Sequence, residues 1–71
     1  MKKTFQLTEL DCASCADRME TTIRRLPGVT GANINFVTQK LTLEAEDADF
    51  DTALNRVRQV IHRISHSTEI L

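Results

Sequence analysis

Residues 4–28 read TFQLTELDCASCADRMETTIRRLPG, and a change of hydrophobic period inside this stretch decides the fold. From Thr4 to Thr8 polar and apolar residues alternate, which places Phe5 and Leu7 on one face of a short strand. From Ser14 to Leu26 the apolar positions become Cys15, Met19, Ile23 and Leu26, spaced by four and three. That spacing marks an amphipathic helix whose opposite face carries Asp17, Arg18, Glu20, Arg24 and Arg25. Pro27-Gly28 ends it.

Beyond this turn, Val29 to Asn35 alternates again, with Ala32, Ile34 and Phe36 on one face. Thr38-Gln39-Lys40 then turns the chain into Leu41–Ala45, which makes a hairpin. Glu46-Asp47-Ala48-Asp49 is an acidic link whose carboxylates favour the start of a second helix. In that helix Phe50, Ala53, Leu54, Val57, Ile61 and Ile64 form an apolar stripe running to about Arg63. Thr68–Leu71 is the last strand. The order βαββαβ predicts an α+β fold, a four-stranded antiparallel sheet with both helices on one face. Residues 1–71 form a single domain, without internal repeat or linker.

Nine Lys and Arg against ten Asp and Glu leave a formal charge of −1, so no broad positive field exists to attract nucleic acid. RNA-binding domains with the same element order stack bases on aromatic residues of the third strand, and Leu41-Thr42-Leu43-Glu44 has none. No run approaches the roughly 20 apolar residues of a membrane span. Met1-Lys2-Lys3-Thr4 leads into an alternating strand instead of a secretory leader, so a cytoplasmic setting with reduced thiols is expected.

Chemistry concentrates where the first strand gives way to the first helix, in Leu10-Asp11-Cys12-Ala13-Ser14-Cys15-Ala16. Two thiols separated by two residues can converge on one point, and thiolates select zinc, cadmium, lead or Cu(I). The free N–H groups of a helix N-terminus favour the thiolate form. Two other readings of the pair stay open: a redox dithiol, and one half of a closed zinc site completed by His62 and His66. Ala13-Ser14 lacks the Gly-Pro usual between redox cysteines, and the gap to the histidines is far longer than a zinc finger's. Met19, although a soft donor, shares its stripe with Ile23 and Leu26 and reads as core. No nucleophile with acid and base partners and no phosphate-binding glycine loop is present, so catalysis by this chain is not expected.

Over nearly its whole length the chain resembles the heavy-metal-associated domain family, known as metallochaperones and as N-terminal modules of heavy-metal P-type ATPases. The likeness rests on Asp11-Cys12-Ala13-Ser14-Cys15-Ala16, Leu26-Pro27-Gly28-Val29, Ile34-Asn35-Phe36 and Gln39-Lys40-Leu41-Thr42-Leu43. It implies a ferredoxin-like fold and a surface site in which Cys12 and Cys15 bind the ion. Two departures stand out. The family usually has Gly-Met where this chain has Glu9-Leu10; Leu10 can still anchor the loop, but Glu9 lacks glycine's backbone freedom. Before the first cysteine, copper-handling members resemble Thr-Cys, and zinc-, cadmium- or lead-handling members resemble the Asp11-Cys12 found here.

Cu(I) is satisfied by two thiolates, whereas a divalent ion wants about four ligands and accepts a carboxylate oxygen. Asp11 is therefore the expected third ligand for zinc, cadmium or lead, with Glu9 and Asp17 making the rim acidic. The resemblance further implies delivery of the ion to, or regulation of, an efflux P-type ATPase or a partner metal-binding domain. A free-standing Cu(I) metallochaperone is the alternative, and the domain is expected as a monomer or as a dimer bridged by one ion. His66 falls in the loop that faces the ion in the family, which makes it a further candidate ligand.

Overall fold

A computed structural model describes all 71 residues. Its elements are β1 (Lys2–Thr8), α1 (Ala13–Arg24), β2 (Val29–Asn35), β3 (Lys40–Ala45), α2 (Phe50–Ile64) and β4 (Glu69–Ile70). The strands lie in the order β2-β3-β1-β4, and every neighbouring pair is antiparallel. The expected ferredoxin-like βαββαβ fold is thus observed.

Register aligns the apolar positions across the sheet. Phe5 and Ile34 both pair with Leu41, and Lys3 and Ala32 both pair with Leu43. The inward face meets Ala16, Met19 and Ile23 of α1 and Phe50, Ala53, Val57, Val60 and Ile61 of α2 in one buried cluster. Side chains buried this fully contribute about 1.5–3 kcal/mol each through removal of apolar surface from water. The outward face carries Thr4, Gln6, Asn33, Lys40, Thr42 and Glu44, which leaves it polar.

Three details differ from expectation, each for a local reason. Phe36 does not extend the buried face of β2 but is 38% exposed. The Asn35 side-chain oxygen accepts the N–H groups of Val37 and Thr38 at 3.0 and 3.1 Å, folding the chain into a turn before Phe36 can pair. The acidic link becomes a 3₁₀ turn over Asp47–Asp49, and Asp49, at the N-cap of α2, makes no side-chain capping bond. At the other end of α1, the amides of Arg25 and Leu26 bond to the carbonyls of Thr22 and Ile23, so the helix tightens and stops before Leu26. Gly28 follows at φ 85°, where a Cβ would lie 3.2 Å from Asp49 Cβ.

Candidate metal-binding loop

β1 stops at Thr8 because Glu9 turns the backbone into the left-handed region, at φ 55°. This is the position where glycine would be free of strain, and a glutamate there costs about 1–2 kcal/mol. The turn drives Leu10 into the core, where it is 1% exposed, so Leu10 is the apolar anchor the sequence suggested. Two distant side chains hold the root of the loop. Thr68, itself buried, donates its hydroxyl to the Glu9 carbonyl at 3.2 Å. The Gln39 amide donates to the Leu10 carbonyl at 2.7 Å and accepts the Leu10 N–H at 3.4 Å.

Cys12 is the N-cap of α1, in extended backbone, and its Sγ accepts the N–H of Cys15 at 3.2 Å. Sulfur here takes the place usually filled by a serine or aspartate oxygen, satisfying one of the orphan amides of the first turn. The Ser14 hydroxyl lies 3.4 Å from the same sulfur. Both cysteines are free thiols and partly accessible, with Cys15 packed against the core.

This arrangement separates the two thiols electrostatically. The Cys15 thiol, the Ser14 hydroxyl and the Cys15 N–H all point toward Cys12 sulfur and hold its pKa below the usual thiol range. Cys15 is pushed up, first by its bond to Cys12, then by partial burial and by the charge on Cys12; Arg18 opposes this and Asp11 adds to it. Of the two, Cys12 therefore loses its proton first, and Cys15 keeps its proton longer.

The other predicted ligands are not gathered around the sulfurs. Asp11 is exposed beside Cys12, and nowhere do three or more His, Cys, Asp or Glu side chains come together as an ion-holding group. His62 and His66 instead stack on each other, with ring centroids 5.1 Å apart and planes 16° from parallel. A closed site of two cysteines and two histidines is accordingly not assembled. Met19 is fully buried. Sequence reasoning missed Ser14, Gln39 and Thr68; only Ser14, lying between the cysteines, carried a local signal.

Comparison with known proteins settles the family, since the pattern described as "Heavy-metal-associated domain" matches residues 4–67. The chain belongs to the heavy-metal-associated domain family. Among its relatives, the cadmium, zinc and cobalt-transporting ATPase of Bacillus subtilis is 28% identical over 64 residues, which cover 90% of this chain and 9% of that protein. The copper-exporting P-type ATPase of the same organism is 40% identical over 49 residues, 69% of this chain and 6% of that protein. The heavy-metal-associated domain therefore spans under a tenth of the length of these relatives. Among solved structures, one named CopZ metallochaperone superposes with a TM-score of 0.78 at 15% identity, covering 100% of each chain, and so shares the fold. No helix of the chain is long and apolar enough to cross a membrane.

Proposed function

We propose that Cys12 and Cys15 bind one divalent zinc, cadmium or lead ion, that Asp11 supplies a third ligand, and that the domain serves a heavy-metal P-type ATPase in the cytoplasm by delivery or regulation. The observation that carries this reading is the N-cap geometry, in which the Cys12 sulfur accepts the Cys15 N–H at the start of the helix and the exposed Asp11 directly precedes it in the chain. Thiolates suit soft and borderline ions, and an adjacent carboxylate adds charge that favours a divalent over a monovalent ion. An open fourth position admits a partner's ligand, so transfer proceeds by stepwise exchange. Relatives named for cadmium, zinc and cobalt transport support the divalent assignment.

A specific observation favours the second reading, Cu(I): a relative named for copper export is 40% identical over 49 residues, and two thiolates suffice for that ion. Zinc, cadmium and Cu(I) titrations of three chains separate the readings. Cys12→Ser should abolish tight binding of both ions. Asp11→Thr should weaken cadmium and zinc by about tenfold and leave Cu(I) nearly unchanged. Equal losses for all three ions would remove Asp11 from the site, and an S2N2 cadmium NMR signature would replace it with His62 and His66.

A further inference from the structure

The clamp on Leu10 comes from a residue that lies 29 positions away and carries no metal-ligating chemistry. Gln39 sits at φ 56° in the β2–β3 turn. Its carbonyl accepts the Leu7 N–H at 2.7 Å and the Gln6 side-chain amide at 2.9 Å, which continues the pairing of β1 past its last partner on β3. Its side chain then meets both polar groups of Leu10, bridging the Glu9 bend like one more rung of the ladder. Leu10 is buried, so without Gln39 its N–H and carbonyl would be left unpaired away from water.

Only Asp11 separates that rung from Cys12. The Cys12 sulfur must stay within 3.2 Å of the Cys15 N–H to cap α1, and no other bond fixes the approach from the Leu10 side. The geometry points to Gln39 as the positioning residue of the thiol site: by clamping the Leu10 backbone it holds Cys12 in register with Cys15. Thr68, on Glu9, fixes the bend one residue earlier. The inference rests on the reading of Cys12 and Cys15 as the metal ligands.

Gln39→Glu tests it with the backbone and side-chain size retained, since the carboxylate has lost the donor to the Leu10 carbonyl; Gln39→Asn, too short to bridge, is the second variant. Two quantities are read on the reduced domain: solvent exchange of the Cys15 amide against that of Ile23, and the rate at which bound cadmium leaves to excess chelator. Loss of positioning should speed Cys15 exchange about tenfold with Ile23 unchanged, and speed cadmium release by a similar factor. A purely structural role would raise exchange at both amides together and overturn the proposal. So would native rates of cadmium release in both variants. If Cys12→Ser held cadmium as tightly as the native chain, the ligand reading itself would fall, a result separable from the Gln39 variants.

Discussion

Cys12 closes the first turn of α1 with the same sulfur atom that is proposed to take the ion, so capping and binding meet on one atom. Its bonds from Cys15 and Ser14 stabilise the thiolate, and the price is a Cys15 that holds its proton more firmly. An ion that binds both sulfurs must displace whatever protons remain. Between the lowered ionisation of Cys12 and the raised one of Cys15, one proton should leave per ion bound; below both, two should leave. Apparent cadmium affinity therefore falls as pH falls, by about tenfold per pH unit in the upper window and steepening toward a hundredfold in the lower. Calorimetry in buffers of different ionisation enthalpy, repeated across pH, measures the count directly, and a passage from no protons to two without a one-proton plateau would show that the thiols are not separated. The pair itself was legible in the sequence, because two thiols at that spacing before a helical stripe have few other uses. Which thiol ionises first was not, since it depends on which amide and hydroxyl reach which sulfur.

The periods of two and of three to four residues fixed β1, α1, β2, β3 and α2 in order, and burial followed them: Leu7, Met19, Ile23, Leu41, Leu43, Val57 and Ile61 are all at or below 1% exposed. Periodicity failed where a side chain bonds to nearby backbone, as Asn35 does in ending β2 ahead of Phe36. It is also silent on edges. β2 lies at the rim of the sheet, where unpaired backbone groups invite a second chain. Here α1 covers them. Glu20 accepts the Ile34 N–H at 2.8 Å, Arg24 donates to the Ala32 carbonyl at 2.8 Å, and the two side chains pair with each other at 3.2 Å. The ion pair is partly exposed and contributes little alone, whereas its bonds to the strand occupy two backbone groups of β2, the Ala32 carbonyl and the Ile34 N–H. The double variant Glu20→Ala/Arg24→Ala should leave the domain folded but less stable by about 1–3 kcal/mol. Sedimentation should then show concentration-dependent self-association without metal; a strictly monomeric variant would mean that the clamp does not guard the edge.

At the scale of the whole molecule the question is whether the ion holds the fold or the fold holds the loop. Seventy-one residues lie near the size at which a single core becomes insufficient, and small domains of this kind often depend on a metal. In this chain the core is continuous from sheet to both helices and draws on fourteen residues, none of them Cys12 or Cys15. No buried side-chain nitrogen or oxygen is left without a hydrogen-bond partner. The thiols sit at one end, on a loop whose root is secured by Gln39 and Thr68 from elsewhere in the chain. Chelation should therefore leave the helical circular dichroism intact and the thermal transition cooperative. Metal at a hundredfold over its dissociation constant should add about 2.7 kcal/mol by mass action alone. For a domain of this size that raises the midpoint by about 10–20 °C. Loss of helical signal on chelation would mean that the ion supplies part of the fold, as in a closed structural site, and would count against transfer. A loop that gives up its ion without unfolding is what stepwise exchange with a partner requires, since the emptied domain must remain ready to take up the next one.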